Sequence, residues 1–368
     1  MMGRIILTVA AILIAVAACN RDDEDFLWEY FAGQGTAWFL TATPDSGYIS
    51  AGDVGGKPYL MRSSRTGSKV YSYSAEDQGA YKSVMFDTAY CIAAGGSDGE
   101  LILARVDNQG QLIWEKRVSS EIYVTEVFLF ASEVGGEIVA LCGSGPDDST
   151  GLASGLMKVV FDTSGAVLTE VTRTESDFFR ISGAVMNADG GFMVAVTKAT
   201  GTARPKALAV KVDQSLATIR ERELANNPLY GAASLSLTDS DAGDYFVGGR
   251  TELQFEGQLL MNSFAALITP TGTVIWKKYP ENSNEATALI GKGNNGLIYV
   301  LNRNCFIVNI LNETDGSEYR HIRFFDACDS YDTGRKAESF IINYAGNLLI
   351  AGSNSGKYYL ALKPVIDE

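Results

Sequence analysis

VDNQGQLIWEKRV, residues 106–118, joins a polar residue, a short glycine-containing turn and an apolar strand with a bulky side chain. ITPTGTVIWKKYP from Ile268 and VFDTSGAVLTEV from Val160 have the same form. The spacing from the polar residue to the later strand position is seven residues in six places, which indicates a repeat. The six pairs are Ser64 and Tyr71, Asp107 and Trp114, Asp162 and Thr169, Asp213 and Arg220, Thr269 and Trp276, and Asn312 and Tyr319.

A second apolar run lies upstream of each copy and usually closes in a glycine. It occupies residues 48–52, 91–95, 139–143, 245–249 and 348–352, and weaker copies end at Thr197 and Asn302. A third apolar run precedes each of these, as in residues 82–86. Together they predict seven units, about 43 to 54 residues apart, each with four short strands (a, b, c and d) separated by Gly, Asp and Asn turns.

Seven four-stranded units without helical periodicity predict an all-β fold, a seven-bladed β-propeller. Radial closure protects strand edges that a flat array would leave open. The last unit contains strands a, b and c, and the chain reaches Glu368 where strand d is due. Residues 27–31, LWEYF, fit the missing strand. We predict that this N-terminal strand completes the C-terminal blade, so that residues 26–368 form one domain.

The units resemble the Gly-Gly-Tyr-hydrophobic-Ala-Gly and Gly-x-hydrophobic-hydrophobic-Trp repeats of bacterial lipoprotein propellers. The Trp-bearing strands also resemble those of quinoprotein-type propellers. This resemblance covers nearly the whole mature chain and implies a scaffold rather than an activity.

The first 18 residues have the features of a signal peptide: Arg4, an apolar run over residues 5–15 and small residues before Cys19. Val16-Ala17-Ala18-Cys19 resembles a lipobox, which implies cleavage before Cys19 and a lipid on its sulfur. An ordinary signal peptide is the alternative. Residues 19–25 would form an acidic tether resembling the signal that sends some lipoproteins to the cell surface of the outer membrane. The alternative is a simple linker and a periplasmic location.

The net charge of −14 argues against a nucleic-acid or anionic-membrane partner, which would need clustered Lys and Arg. Cys91 and Cys142 lie in apolar runs and are predicted to be buried thiols. Cys305 and Cys328 could pair, but spacing alone does not decide this. Asp326, Asp329 and Asp332 are a candidate calcium site, and no cofactor or metal is otherwise predicted.

Several motif matches have simpler interpretations as turns. Residues 95–99, GGSDG, match a nucleophile elbow, but the chain has one histidine, His321, and the site falls between strands b and c. Residues 291–296 match a dinucleotide fingerprint at an a-to-b turn. Residues 239–244 resemble part of a calcium loop at another such turn. The sequence also departs from the sialidase box at Asp107 and Gly110, so an enzyme remains the alternative rather than the leading class.

The two faces of the predicted ring differ. One face, here the c–d face, carries the a-to-b and c-to-d turns, and most of its c-to-d turns are short and alike. The other, the b–c face, carries the b-to-c and d-to-a connections. Its long loops are predicted at residues 144–154, 198–206 and 250–263. Long variable loops on a rigid frame are where recognition usually lies. The candidate contacts on this face are Phe178, Phe179, Arg180, Tyr230, Phe255, Tyr331 and Arg335.

These features predict a membrane-anchored lipoprotein on the cell surface. Its b–c face would act as a binding or scaffolding module for a protein partner or a glycan. The alternative is a glycan-cleaving or quinone-dependent propeller enzyme. Because strand d begins on the c–d face, a lipid at Cys19 would lie on that side and the b–c face would point away from the membrane.

Overall fold

The structure is a computed structural model that describes residues 27–364, except for 88, 120, 133–135, 144–153, 176–177, 201–202, 227–231, 241, 256–257, 281–287, 294–295, 303–306, 324–334 and 344. The predicted signal peptide, Cys19 and the predicted acidic tether lie outside the described residues. So do Cys305, Cys328 and the three aspartates of the candidate calcium site. No helix in the described ranges is long and apolar enough to cross a membrane.

The described residues form seven four-stranded antiparallel blades around a ring, as the repeats predicted. Blades 1 and 7 share one strand, β1, and are therefore joined into a single sheet of seven strands. Strand β1 covers Trp28–Ala42. Blade 1 contains the second half of β1 with β2 (Tyr48–Val54), β3 (Lys57–Ser63) and β4 (Lys69–Ser74). Blade 2 contains β5 (Ala80–Phe86), β6 (Tyr90–Ser97), β7 (Glu100–Asp107) and β8 (Leu112–Val118).

The next three blades follow in chain order. They are β9 (Glu126–Ala131), β10 (Glu137–Gly143), β11 (Ser154–Asp162) and β12 (Val167–Glu175) in blade 3, β13 (Phe178–Met186), β14 (Phe192–Ala199), β15 (Lys206–Val212) and β16 (Thr218–Asn226) in blade 4, and β17 (Ala232–Asp239), β18 (Tyr245–Phe255), β19 (Gln258–Ile268) and β20 (Val274–Lys278) in blade 5.

The last two blades end at the C-terminus. They are β21 (Ala288–Lys292), β22 (Leu297–Asn302), β23 (Ile307–Asn312) and β24 (Glu318–Arg323) in blade 6, and β25 (Arg335–Ile342), β26 (Leu348–Asn354), β27 (Lys357–Lys363) and the first half of β1 in blade 7.

The N-terminal strand closes the ring. The first half of β1 pairs antiparallel with β27, with Trp28 opposite Leu362 and Tyr30 opposite Leu360. The chain then crosses to the innermost position of blade 1, where its second half pairs with β2. The crossing requires Gly35: its φ is +151°, and an added Cβ would lie 2.0 Å from the Asp53 carbonyl oxygen. The predicted closure is therefore confirmed.

The core lies between the blades. Most buried apolar residues of the described chain fall into seven clusters, and each cluster joins two neighbouring blades. The cluster at the closing seam contains Leu40 and Met61 from blade 1 and Tyr358 and Leu360 from blade 7. Closure thus buries the same kind of surface as every other seam, and burial of apolar surface is the main stabilising contribution in folding.

The repeat residues have identifiable structural roles. Asp107, Asp162 and Asp213 each accept two backbone N–H bonds within their c-to-d turns, which fixes the turn before strand d begins. Trp114 then lies against Gly165 of the following blade and donates its indole N–H to the Thr163 carbonyl at 3.0 Å. The turns and bulky residues recognised in the sequence therefore connect each blade to the next.

In blades 1, 2 and 7, the glycine that closes strand b lies opposite a bulge in strand a. Gly52, Gly95 and Gly352 each pair beside a bulge, and an added Cβ would lie within 1.9 Å of a strand-a carbonyl oxygen. In blade 6, where Asn302 replaces this glycine, the described part of β21 pairs with β22 without a bulge. Blade 3 also lacks the bulge although it keeps the glycine, Gly143.

Two cysteines are confirmed as buried free thiols, Cys91 and Cys142. Burial raises the pKa of Cys91 to about 11 and also raises the pKa of Cys142. Both side chains belong to inter-blade clusters and behave as small apolar residues.

Candidate binding face

The b–c face carries the most uneven connections of the described ring. On the c–d face, the c-to-d turns of blades 1 to 5 close with one recurring hydrogen-bond pattern, from the N–H of the first residue to the carbonyl four residues on. The turn of blade 6 is one residue longer, with Asn312 N–H donating to the Ser317 carbonyl. On the b–c face the connections range from the tight turn after Ser97 to the ten positions that separate Gly143 from Ser154.

The predicted loop over residues 250–263 is wrong. β18 and β19 pair without interruption from Tyr245 opposite Ile268 to Phe255 opposite Gln258. The described part of β17 pairs with β18 as far as Thr251, so among the described residues β18 and β19 continue beyond it as a two-stranded hairpin. The sequence TELQF–EG–QLLMN agrees with this pairing, because two strand-like runs separated by a dipeptide that contains glycine are typical of a hairpin.

One candidate contact is also wrong. Phe179 is 1% exposed and lies in the cluster between blades 3 and 4, beside Ile181 and Phe192. Side chains alternate between the two sides of a strand, so Phe179 points inward while the next residue, Arg180, is exposed. Phe179 therefore supports the face from within and does not contact a ligand.

Of the other six candidate contacts, four lie among the described residues. The Arg180 side chain is exposed and pairs with Glu126 at 3.2 Å, which joins the innermost strands of blades 3 and 4. Phe178, Phe255 and Arg335 lie at strand ends on the b–c face, where their backbones pair with Ala199, Gln258 and Asn354. Tyr230 and Tyr331 lie outside the described residues.

A group of residues at the mouth of the central channel was missed. Trp38 and Lys82 are the bulge residues of strand a in blades 1 and 2. The Lys82 ammonium lies 3.3 Å from the centre of the Trp38 ring, a cation–π contact. Trp38 donates its indole N–H to Asp53 Oδ1 at 3.0 Å. A bulge re-aims one side chain, and its sign in the sequence, the glycine opposite it in strand b, also occurs at Gly143, where strand a has no bulge.

Opposing effects act on the pKa of the carboxyl group in this set of residues. Burial raises the pKa of the Asp53 carboxyl, while the Trp38 hydrogen bond and the Lys82 charge oppose that rise. Beside Lys82, a cavity of about 360 Å³ opens between blades 2 and 3, and its lining includes Ser97, Asp98, Tyr123 and Thr125. The arrangement provides a cation, hydroxyl groups and backbone polar groups, which suits recognition of a polar ligand group.

The rejected motifs lie in turns. GGSDG forms the turn from β6 to β7, with Ser97 opposite Glu100. The 291–296 segment connects β21 to β22, and the 239–244 segment connects β17 to β18. His321 belongs to the outermost strand of blade 6 and contacts Glu318 at 3.4 Å. Within the described ranges, no three His, Cys, Asp or Glu side chains are grouped so that they could hold a metal ion.

Comparison with solved structures supports the fold. The WD40 domain of Neurospora crassa Pan2 superposes with a TM-score of 0.59 at 13% identity, covering 91% of both chains. The Dos1 propeller superposes with a TM-score of 0.57 at 9% identity, covering 92% of this chain and 94% of that one. No protein-family model and no curated protein matches this sequence. At these identities the likeness establishes a β-propeller and nothing about activity.

Proposed function

We propose that this chain is a lipid-anchored binding or scaffolding propeller whose b–c face engages a protein partner or a glycan. The observation that carries the proposal is the difference between the faces. The c–d face repeats one turn design, whereas the b–c face combines an extended hairpin, uneven connections and the polar group at the channel mouth. Variable connections on a rigid frame are the usual place for recognition.

The anchor follows from the sequence. A lipid on Cys19 would hold the N-terminal end of β1, which begins blade 7 at the c–d face. The b–c face would then point away from the membrane and be open to large partners. This orientation, at the cell surface, is part of the proposal.

Affinity capture from native membranes tests the binding function. The acylated protein and an Arg180→Glu variant are purified after crosslinking, and co-purifying proteins and glycans are identified by mass spectrometry. Arg180 is exposed on the b–c face, and the substitution also breaks its pair with Glu126. We expect one partner to be enriched with the native protein and depleted with the variant.

A matched control is Arg65→Glu, the same charge reversal at an exposed residue of the c-to-d turn of blade 1, on the opposite face. It should capture the same partner as the native protein. Recovery of no partner, together with turnover of a defined polysaccharide, would instead support the enzyme alternative.

Two further measurements test anchoring and location. Incorporation of labelled fatty acid should occur in the native chain and be lost in Cys19→Ser. Protease added to intact cells should digest the propeller domain. Full protection of the domain would place it on the periplasmic side.

A further inference from the structure

Blade 2 differs from the other bulged blades at one position of strand b. Five described blades have a bulge in strand a. The strand-b residue that pairs two positions before the bulge residue is called the facing position here. Blade 2 has a glycine there, Gly96, whereas the other four blades carry a side chain: Asp53, Thr197, Arg250 and Ser353.

Blade 1 shows what a side chain at the facing position does. The bulge residue Trp38 donates its indole N–H to Asp53 Oδ1 at 3.0 Å. Blade 2 has Lys82 in place of Trp38 and Gly96 in place of Asp53. The donor and carboxylate of blade 1 are therefore replaced in blade 2 by a cation and a facing position without a side chain.

The cavity of about 360 Å³ opens at this place, and both Lys82 and Gly96 line it. The Lys82 ammonium lies over the Trp38 ring on the side of blade 1, and the same side chain lines the cavity on the side of blade 3. Blades of a propeller are related by rotation about the central axis. The cavity between blades 2 and 3 thus corresponds to the space that the Asp53 carboxyl occupies between Trp38 and Lys82.

The far wall of the cavity is fixed by hydrogen bonds to both blades. In the connection from β8 to β9, Val124 N–H donates to the Gly99 carbonyl at 3.1 Å, and Thr125 N–H donates to the Gly143 carbonyl at 3.0 Å. Val124 is buried in the cluster between the blades, whereas Tyr123 before it is half-buried and lines the cavity. A wall held in this way costs little further ordering when a ligand binds.

The second glycine of Gly95-Gly96 keeps the facing position open. An added Cβ at Gly96 would lie 2.4 Å from the Val124 carbonyl oxygen, closer than real Cβ atoms approach. Gly95 lies opposite the bulge, and Gly96 lets β6 approach the wall from blade 3. The close approach of the two walls therefore excludes a side chain of blade 2 from the facing position.

The charges around the cavity favour a ligand group with one negative charge. Lys82 supplies a cation, and the Tyr123 phenol supplies a hydroxyl group. The carboxyl groups of Asp98, which also lines the cavity, and of Asp53, beside Trp38, lie nearby. Two such groups repel a phosphate dianion more strongly than a monoanion. A carboxylate carries one charge and accepts hydrogen bonds from an ammonium and a hydroxyl.

We propose that the cavity between blades 2 and 3 binds a carboxylate group, which contacts Lys82 as the Asp53 carboxylate contacts Trp38. The carboxylate belongs either to an acidic sugar or to the end of a peptide chain, since both present the same group. The proposal rests on the proposed function in one respect, because it names what the b–c face recognises. The geometry of the cavity does not depend on that function.

The test measures binding of two small carboxylates to the purified full chain by saturation-transfer NMR titration. Glucuronate represents the acidic sugar, and acetylglycine represents the end of a peptide. Glucose and acetylglycine amide are the matched uncharged probes. We expect one of the two carboxylates to bind and its uncharged counterpart not to bind. The carboxylate that binds more tightly identifies the source.

Three variants test the contact with Lys82. Lys82→Met keeps most of the stem and removes the charge, so binding should weaken roughly tenfold or more. Lys357→Met removes the same charge from an exposed residue beside the b-to-c turn of blade 7 and should leave binding unchanged.

Asp98→Asn should strengthen binding roughly twofold, because it removes a negative charge from the cavity. Asn adopts the left-handed conformation of Asp98, whose φ is +50°, without strain. Misfolding does not produce tighter binding, so this variant decides the test if Lys82→Met fails to fold.

Four outcomes would overturn the proposal: neither carboxylate binds, the uncharged probes bind equally well, Lys82→Met binds like the native chain, or inorganic phosphate binds more tightly than both carboxylates. The two proposals also fail separately. A chain that captures an Arg180-dependent partner but binds neither carboxylate would refute the cavity proposal alone. A chain that binds a carboxylate through Lys82 but captures no partner or glycan would refute the proposed function alone.

Discussion

Two seams of the propeller use the same side chain differently. Between blades 5 and 6, where the chain is continuous, Trp276 lies over Gly316 and donates its indole N–H to the Glu313 carbonyl at 2.9 Å. Between blades 7 and 1, where the chain closes, Trp28 lies over Gly67 in the same way. The buried Trp28 indole N–H, however, has no acceptor among the described residues.

The closing seam has other hydrogen bonds. Tyr358 donates its hydroxyl to Ser50 Oγ at 2.6 Å, and Asn343 donates its amide to the Tyr48 hydroxyl at 3.0 Å. The strand itself also continues from one blade into the next. The comparison indicates that the internal seam relies on a side chain bonded to a turn, whereas the closing seam relies on strand pairing and buried hydroxyl groups.

The largest expected effect comes from removing the closing strand. Deletion of residues 26–31 exposes the edge of β27 and removes Trp28 and Tyr30 from the cluster between blades 7 and 1. We expect the melting temperature, followed by circular dichroism, to fall by roughly 10 °C or more. Deletion of residues 20–25 is the control and should not change it. Unchanged melting after the first deletion would contradict closure by this strand.

The two tryptophans should differ when each is replaced by phenylalanine. Trp276→Phe removes the bond to Glu313 and should lower the free energy of unfolding by about 1–2 kcal/mol more than Trp28→Phe, which removes no indole hydrogen bond. Both variants lose similar ring volume, so each serves as the control for the other. Urea titrations measure the difference. Equal losses would mean that the indole bond does not distinguish the seams.

The buried hydroxyl at the closing seam should have a smaller effect. Tyr358→Phe keeps the ring in place and removes the bond to Ser50, so we expect a loss of about 1 kcal/mol in urea unfolding. Tyr319→Phe, at an exposed ring of blade 6, is the matched control and should be neutral. A neutral Tyr358→Phe would show that strand pairing alone holds the seam.

The smallest expected effect concerns acid stability of a c-to-d turn. Hydrogen bonds from the Ser215 hydroxyl and from backbone N–H groups hold the pKa of Asp213 below its usual value. A lowered folded-state pKa gives stability that is present above the unfolded pKa and is lost as the pH falls through the folded value. Asp213→Asn should therefore flatten slightly the fall in melting temperature below about pH 4. An equally steep fall in the variant would mean that the Asp213 carboxylate does not contribute to stability above that pH.

Much of the architecture could be predicted because its signals are local. The turns after Asp107, Asp162 and Asp213 and the run LWEYF identify strand d and the closure. The seven-residue spacing failed at Tyr319, because the turn from Asn312 is one residue longer and shifts the strand by one position.

The candidate site was harder to predict because its geometry depends on neighbouring strands. The bulges that re-aim Trp38 and Lys82 arise from pairing, so a single strand sequence does not reveal them. The same limitation affected Phe179, since its inward direction follows from the register of β13 against β14. The hairpin beyond Thr251 did carry a local signal, the two-residue turn, but the shorter strands of the other units predicted a loop there.

The shared strand β1 has a consequence for folding. Trp28 is synthesised long before its partner Leu362, because most of the propeller lies between them in the sequence. Contacts so distant in sequence form slowly, because a long chain must first be brought together. Blades 1 to 6 can form progressively, whereas the seventh must wait until β27 has been synthesised. During this interval β1 has an unpaired half, which makes it the segment most exposed to aggregation or to binding by a chaperone.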